Sequence, residues 1–254
     1  MISLITVCYN AKKNIKKTLE SVKLSKNELV EFVVIDGGST DGTLKIIEEY
    51  KNIIDILITE PDEGTYDAIN KGIKYSSGNI IGLLHSGTIL NSDVLKKVFS
   101  ICGLSHNNSI IAGSAIFSEK KPVLRLLRSK IKPLGPRNTQ ILHETLYIPR
   151  KFYNLYGLYD LSFPMSADYS WMSKAIRSGV SVEYTDCVFI DYCEGWGVSA
   201  DATNFFQKIS DHFRVMKREV NLFFAIRRYI IRMIFFSLSR LKHYVLKFLK
   251  SVKS

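Results

Sequence analysis

An aspartate at the end of an apolar run is the first residue of this sequence whose position could support chemistry. Residues 32–35 are apolar and mostly β-branched, which predicts a buried strand, and Asp36 follows them directly. Two glycines and three potential helix-capping residues, Ser39-Thr40-Asp41, come next. In an open parallel sheet, ligands bind beyond the carboxyl ends of the strands. Asp36 could therefore accept hydrogen bonds from a ring N–H or a ribose hydroxyl, or it could cap the next helix.

The elements that must position Asp36 alternate between strands and helices. Apolar runs predict strands at residues 2–7, 30–36, 53–58 and 79–84, and amphipathic runs predict helices at 14–23, 41–50, 65–75 and 92–102. Strands and helices that alternate at this spacing form right-handed βαβ units and a parallel sheet. The regularity fails after a strand at 109–117. Beyond it we expect a strand after His143-Glu144-Thr145, an aromatic-rich turn region, a helix to residue 176 and a strand at 181–191.

The composition indicates one main domain with an appendage. At 254 residues and 46% hydrophobic content, the chain can bury a large core. The four cysteines have no metal-type spacing and are typical of a reduced, cytosolic protein; they are Cys8, Cys102, Cys187 and Cys193. A strand pattern begins at residue 2, so we expect no signal peptide.

The positive charge is concentrated towards the C-terminus. The formal net charge is +11, and residues 208–254 carry 12 Lys/Arg and 2 Asp/Glu. The part before them is nearly neutral, which argues against a nucleic-acid-binding core. Residues 119–137 form a second basic stretch with seven Lys/Arg and several prolines. This stretch could be a solvated loop, or a loop over the mouth of the sheet that grips a phosphate-bearing acceptor.

The C-terminal tail, residues 204–254, has a helical pattern with two opposite stripes. The polar stripe recurs at spacings of 4 and 7 and consists of Lys217, Asn221, Arg228, Arg232, Ser239, His243 and Lys250. The apolar stripe consists of Ile226, Ile230, Met233, Leu241, Tyr244 and Phe248. Such a helix can lie on an anionic membrane surface, or it can pack on the core or on a partner subunit. The charge-free run at 233–239 is much shorter than the roughly 20 residues of a membrane span.

Three ordered segments resemble family-2 glycosyltransferases of the GT-A fold, and bacterial transferases of exopolysaccharide, colanic-acid and O-antigen assembly in particular. They are Ile5-Thr6-Val7-Cys8-Tyr9-Asn10 with residues 34–43, Glu60-Pro61-Asp62-Glu63-Gly64-Thr65-Tyr66-Asp67-Ala68-Ile69-Asn70-Lys71-Gly72, and Ser166-Ala167-Asp168-Tyr169. The resemblance covers about residues 1–200. It implies a Rossmann-like, mostly parallel sheet flanked by helices over residues 1–203. Its nucleotide-binding half would span about 1–117 and its acceptor half about 118–203.

The resemblance also implies roles for single residues on the nucleotide side. Thr6 and Tyr9 would line the base pocket, and Asp36 would bind the base or ribose. Asp67, Asn70 and Lys71 would border the nucleotide and sugar at a helix N-terminus, where backbone N–H groups favour phosphate. Structural alternatives remain open. Tyr9 could serve packing, and Asn70 could be a structural residue of its helix. Asp67 could stabilise the first turn of that helix, and Lys71 could be a solvated charge.

Asp168 carries the reaction in this interpretation. Inverting transfer needs a base that takes the proton of the acceptor hydroxyl as this group attacks the anomeric carbon. The alternative for Asp168 is the N-cap of a helix over residues 169–176. His143 stands where relatives carry a His-Gln pair, here His143-Glu144, and could contact a diphosphate or the acceptor. A histidine beside an apolar strand can equally be structural.

The resemblance breaks at the metal motif. Relatives end the fourth strand on an aspartate that holds Mg²⁺ or Mn²⁺ at the diphosphate. Here the segment is His85-Ser86-Gly87-Thr88, with Thr88 at the metal position and His85 at a usual asparagine. Ser86, Gly87 and Thr88 would still border the nucleotide sugar, but a neutral hydroxyl is a poor sole ligand for a hard dication. The metal could be held by phosphates, water and His85, basic residues at 120–137 could replace it, or activity could be lost.

Together these features predict an inverting glycosyltransferase. It would move a sugar from a nucleotide donor, a UDP-sugar in the first instance, to a glycan or polyprenyl-linked acceptor at the inner face of the cell membrane. A non-catalytic member that binds a nucleotide sugar or a partner transferase is the alternative. A nicotinamide-dependent oxidoreductase is a weaker one, because the first strand lacks the G-x-G-x-x-G turn. The sequence leaves the formation of homo-oligomers open.

Overall fold

A nine-stranded sheet runs through the chain, in a computed structural model that describes residues 1–105, 108–117, 125–126, 143–193, 205–227 and 229–231. The strand order is β3-β2-β1-β4-β8-β6-β9-β5, and β7 pairs with β6. The strands are β1 (Ile2–Cys8), β2 (Val30–Asp36), β3 (Ile56–Thr59), β4 (Ile80–His85), β5 (Ile89–Leu90), β6 (Ser109–Phe117), β7 (Arg125–Leu126), β8 (Leu146–Pro149) and β9 (Ser181–Cys193). The first four strands in this order are parallel, whereas β8 lies antiparallel between β4 and β6.

Besides the helical residues 222–227 and 229–231, seven helices lie in the described part of the chain. They are α1 (Ile15–Ser25), α2 (Thr43–Glu49), α3 (Thr65–Tyr75), α4 (Val94–Ser105), α5 (Arg150–Tyr156), α6 (Ala167–Arg177) and α7 (Phe205–Glu219). Two short 3₁₀ turns lie at Lys51–Ile53 and His143–Thr145. None of the described helices is long and apolar enough to cross a membrane.

The central strand β1 is buried on both faces. Its side chains alternate, so that Leu4 belongs to one hydrophobic cluster with Ile15 of α1, and Ile5 to the other with Ile69 of α3. Both clusters are large, which explains why the strands read as nearly continuous apolar runs. The order of strands and helices predicted for residues 1–102 is the observed one except for the short strand β5, which the sequence analysis did not predict.

Helix α3 lies between the two halves of the chain. Gly72 allows it to approach β1 closely, because a Cβ at this position would lie 2.4 Å from Cγ2 of Ile5. At the C-terminal end of α3, the Arg150 guanidinium donates hydrogen bonds to the carbonyl oxygen of Ile73 (2.8 Å) and to Oγ of Ser76 (2.7 Å). The end of the helix is thus capped by a residue from the second half of the chain.

Some predicted elements differ from the structure. The third strand begins at Ile56 and not at residue 53, because a 3₁₀ turn occupies Lys51–Ile53. Part of the predicted aromatic turn region is helix α5. The basic stretch 119–137 lies outside the described residues except for Arg125–Leu126.

The tail, for which the sequence predicts amphipathic helices from residue 204, contains more than one helical segment in its described part. Helix α7 ends at Glu219, and the chain turns at Val220 before a second helical segment at 222–227 and 229–231. The apolar side of α7 packs on the core, where Val215 and Met216 are buried. For the first part of the tail, the structure therefore agrees with the alternative in which the helix packs on the core. Residues 232–254 lie outside the described part.

Candidate active site

The carboxyl ends of three neighbouring strands bring the candidate residues to one edge of the sheet. Cys8 at the end of β1 pairs with Asp36 at the end of β2, and Val7 pairs with His85 at the end of β4. This edge is where an open parallel sheet binds its ligands.

The Asp36 carboxylate organises the loop that follows it. The side chain is fully buried; Oδ2 accepts the backbone N–H groups of Gly38 (3.1 Å) and Ser39 (2.9 Å), and Oδ1 accepts the Ser39 hydroxyl (2.5 Å). Asp36 does not cap α2, since Asp41 accepts the N–H of Thr43 there. Burial, together with the Asp36 charge, raises the pKa of the neighbouring Cys8 thiol. A contact between Asp36 and a nucleoside stays a prediction.

Thr6 and Tyr9 occupy different environments on the same strand and its exit. Thr6 is buried in the centre of β1, and its hydroxyl oxygen has no hydrogen-bond partner within the described residues. Tyr9 follows β1 and is 64% exposed, so its ring is available to a ligand. The contact of Thr6 and Tyr9 with a nucleotide base stays a prediction.

The three polar residues expected at the start of α3 have partners within the protein, near in sequence for Asp67 and Lys71 and distant for Asn70. Asn70 is buried and binds the backbone of Tyr159 with both amide atoms, at 2.8 and 2.9 Å. Lys71 binds the carbonyl oxygen of Pro61 (2.7 Å) and lies 3.4 Å from the Asp67 carboxylate. Asn70 thus connects helix α3 to the segment that follows α5. This contact agrees with the interpretation of Asn70 as a structural residue of its helix.

Asp168 is held by two side chains from distant parts of the sequence. Oδ1 accepts the Tyr66 hydroxyl at 2.7 Å, and Oδ2 accepts Nδ1–H of His143 at 3.3 Å. Helix α6 already begins at Ala167, and Ser166 stands at its N-cap position, so Asp168 is not the cap. The Asp168 side chain remains 25% exposed and can be reached by a substrate.

The surroundings of Asp168 keep it ionised. Burial alone would raise the pKa of this carboxyl, but the hydrogen bond and charge of His143, with the Tyr66 hydroxyl, lower it to about 2. Conversely, burial and the Asp168 charge raise the pKa of Tyr66 well above its ordinary value. The pair is therefore a neutral phenol that donates to a carboxylate at physiological pH. Tyr66 lies inside the second motif segment, but no pattern in the sequence indicates its contact with Asp168.

A second histidine extends this chain of contacts. Nε2 of His85 lies 2.5 Å from Nε2 of His143, with the two rings at 72° to each other. Burial lowers the pKa of His85 to about 4, whereas the pKa of His143 is raised because the bond to Asp168 outweighs burial.

The threonine at the expected metal position faces a carboxylate. Thr88 is buried, and its hydroxyl donates to Oε1 of Glu144 at 2.6 Å. The same oxygen accepts the backbone N–H of His85 at 3.1 Å. Burial would raise the pKa of Glu144, but the nearby histidines and these hydrogen bonds lower it. Within the described ranges, no group of three or more His, Cys, Asp or Glu side chains is arranged to hold a metal.

The turn between β4 and β5 is fixed by a residue that the sequence did not indicate. Thr18 of α1 accepts the N–H of Gly87 at 2.9 Å and donates to the carbonyl oxygen of Thr88 at 2.9 Å. Gly87 adopts a φ of 95°, which favours glycine. Ser86 lies in the same turn and is half-buried.

Sequence comparisons give relatives for most of the chain. The sequence model of Glycosyl transferase family 2 matches residues 3–175. The PGL/p-HBAD biosynthesis glycosyltransferase of Mycobacterium bovis is 26% identical over 204 residues, which cover 78% of this chain and 79% of that protein. An uncharacterized glycosyltransferase of Mycobacterium tuberculosis is 27% identical over 197 residues, 74% of each chain.

Solved structures with the same fold include two transferases. S. aureus TarS 1-349 in complex with UDP-GlcNAc matches with a TM-score of 0.69 and 19% identity, over 84% of this chain and 65% of that one. The mannosyltransferase PcManGT from Pyrobaculum calidifontis, in complex with GDP-Man and Mn²⁺, matches with a TM-score of 0.66 and 17% identity, over 85% and 63%. This chain spans 38% of a longer TarS chain. The fold is therefore GT-A, as expected.

Proposed function

Since the chain belongs to glycosyl transferase family 2, we propose that it transfers a sugar from a nucleotide donor to a glycan or lipid-linked glycan with inversion at the anomeric carbon. The observation that carries this proposal is the Asp168 carboxylate, which is ionised, partly exposed and held by Tyr66 and His143. A base of this kind suits direct displacement.

The proposed reaction uses the lone pairs of Asp168 that remain available. The two carboxylate oxygens together offer about four acceptor sites, of which Tyr66, His143 and the backbone N–H of Tyr169 occupy three. The acceptor hydroxyl donates to a remaining site. As its oxygen forms the new bond to the anomeric carbon, its proton passes to Asp168 and the bond to the nucleoside diphosphate breaks with the electron pair on the leaving oxygen.

A UDP-sugar is the proposed donor. TarS, which shares the fold, has been crystallised with UDP and with UDP-GlcNAc. The exposed ring of Tyr9 and the loop ordered by Asp36 lie at the edge where a nucleoside would enter. We assign the base and ribose to this loop, and the sugar and diphosphate to the turn Ser86-Gly87-Thr88 and the start of α3.

The base assignment is tested with Asp168→Asn. We expect the rate of UDP release from a screened panel of UDP-sugars and acceptors to fall about 10²- to 10⁴-fold, because general-base catalysis contributes about that much. Asp160→Asn is the matched control, since Asp160 is an aspartate of the same half that pairs with Arg218 instead. An Asp168→Asn variant with full turnover would remove the base assignment.

The second candidate is a non-catalytic protein that binds nucleotide sugar. The observation in its favour is Thr88, which stands at the position of the metal-binding aspartate in relatives. Its buried hydroxyl donates a hydrogen bond to Glu144. A purified protein that binds UDP but releases none from any donor, with and without Mn²⁺, would favour this candidate. Gain of metal-dependent transfer in Thr88→Asp would then identify a degenerate active site.

We further propose that the helical residues 222–227 and 229–231 lie on the inner face of the membrane. Phe223 is 70% exposed, Ile230 51% and Leu222 50%, so apolar side chains face outward beside a basic sequence. Sedimentation with anionic and neutral vesicles tests this; Phe223→Ser should weaken binding to anionic vesicles. Equal recovery of the variant and the unaltered protein would contradict the assignment.

A further inference from the structure

We propose that Asp211 of helix α7 is a positioning residue for the candidate base Asp168, and that it acts by holding the backbone of Met165 just before α6. The inference rests on the proposed function for the role of Asp168 as the base. The family model matches residues 3–175, so that α7, which spans Phe205–Glu219, lies outside the matched part of the chain.

The first argument is the burial of the Asp211 carboxylate. The side chain is fully buried, and Oδ2 accepts the backbone N–H of Met165 at 2.9 Å. Oδ1 accepts hydrogen bonds from Gln207 (3.1 Å) and Arg214 (3.2 Å), which belong to the same helix. Because a carboxylate is buried at low cost only where such bonds replace water, its position is well determined. The bond to Met165 therefore connects α7 firmly to a segment 46 residues earlier in the chain.

The second argument is that the N-cap residue of α6 does not cap its helix. Ser166 stands at that position, but its side chain makes no capping hydrogen bond, and its buried hydroxyl has no hydrogen-bond partner among the described residues. The first N–H groups of a helix need partners from outside the helix. The Asp211 carboxylate lies at the N–H of the preceding residue, where a negative charge also suits the positive end of the helix dipole. Helix α7 thus fixes the start of α6 from outside.

The third argument is the distance along the chain from this contact to the base. Asp168 lies three residues after Met165, in the first turn of α6, and its oxygens must meet the Tyr66 hydroxyl and Nδ1–H of His143. A shift of that turn changes both distances. Burial and the Asp168 charge are the main reasons why the pKa of Tyr66 is raised, and the Asp211 charge adds to them. Asp211 is therefore near the hydroxyl that holds the base.

Further contacts keep α7 in place beside the first two turns of α6. The ring of His212 packs on Tyr169 with centroids 4.9 Å apart, and the Tyr169 hydroxyl donates to Sδ of Met216 at 2.6 Å. Arg218 donates to Oγ of Ser170 at 2.5 Å. These contacts follow Asp168 in the sequence, whereas the bond from Met165 precedes it. Removal of the Asp211 carboxylate should therefore release the start of α6 while α7 stays docked.

The test compares three variants of the full chain in the UDP-release assay. We expect Asp211→Ala to lower kcat at least about tenfold without changing the dissociation constant of UDP, because a displacement of about 1 Å can cost about 10²-fold in rate. Asp211→Asn keeps an oxygen for the Met165 N–H and should restore most of kcat. Glu219→Ala is the matched control and should keep kcat, since it removes a buried carboxylate at the other end of α7. Urea midpoints show whether each variant is folded under the assay conditions.

A second measurement does not depend on activity. The ¹³Cζ signal of Tyr66, assigned with Tyr66→Phe in tyrosine-labelled protein, responds to the hydrogen bond that its hydroxyl makes. It should move in Asp211→Ala and stay in Asp211→Asn and Glu219→Ala. An unmoved signal in Asp211→Ala, or equal kcat for Asp211→Ala and Glu219→Ala, overturns the proposal. If the unaltered protein transfers no sugar but the signal moves as expected, the proposed function fails while Asp211 still positions the Asp168 carboxylate.

Discussion

Replacing Tyr66 by phenylalanine removes one hydroxyl from the candidate site and keeps the ring. The ring packs against Tyr159 with centroids 5.5 Å apart, and the hydroxyl donates to Asp168 at 2.7 Å. The change therefore isolates one hydrogen bond to a carboxylate. We expect Tyr66→Phe to lower kcat of sugar transfer about tenfold with little change in KM.

The magnitude follows from two opposing effects. A hydrogen bond to a charged group contributes about 1.5–3 kcal/mol, so losing the orientation it gives Asp168 can cost roughly 10- to 150-fold in rate. Without the hydroxyl, the pKa of Asp168 rises from about 2 towards the ordinary 3.8, which makes the carboxylate a stronger base. Because the proton is only partly transferred in the transition state, this gain is about a few-fold. Asp168 stays ionised at pH 7 in both proteins.

The assay is the initial rate of UDP release at saturating donor, with Tyr153→Phe as matched control. Tyr153 belongs to the same aromatic cluster, and its hydroxyl contacts Tyr159 instead of the carboxylate. If Tyr66→Phe and Tyr153→Phe have the same kcat, the hydroxyl of Tyr66 does not position the base. Equal urea midpoints for the two variants exclude a difference in folding.

Two further predictions concern stability. Asn70→Ala should lower the free energy of unfolding by about 2–4 kcal/mol in urea titrations, because two buried backbone groups of Tyr159 lose their partner. Lys71→Ala is the control and should lower it by less than about 1 kcal/mol, because Lys71 takes part in ion pairs near the surface. Equal losses of stability in the two variants would contradict this reasoning. Gly72→Ala should destabilise the protein by about 1–3 kcal/mol despite better helix propensity, since the new methyl would overlap Ile5; a rise in the melting temperature would show that β1 and α3 separate easily.

The order of elements in the first half could be predicted because each strand and helix carries its own periodic pattern. Residues 2–102 are of this kind, and Asp36 was correctly placed at a strand end. The element boundaries that were predicted wrongly depend on packing against distant parts of the chain, which a local sequence pattern does not contain. Ile53 is β-branched like the strand residues that follow it, but it belongs to the 3₁₀ turn Lys51–Ile53. Helix α7 ends at Glu219 although the amphipathic pattern continues.

The contacts between side chains of the candidate site could not be predicted from the sequence. His85 meets His143 because β8 inserts antiparallel beside β4, which brings the turn before β8 to the end of β4. Tyr66 meets Asp168 across 102 residues for a similar reason. Such pairs depend on strand order, and strand order is decided by the packing of the whole sheet. The motifs therefore contain residues of the site but do not predict which of them contact each other.

The attachments of α3 have a consequence for engineering. The helix belongs to the first half of the chain, yet its first turn contacts Asp168, its middle contacts Tyr159 and its last turn is contacted by Arg150. A chimera that replaced the second half of the chain by that of a related protein, but kept this helix, would lose all three contacts at once. Recombination between related transferases should therefore succeed when the crossover lies before residue 65 or when both parents share the sequence of α3.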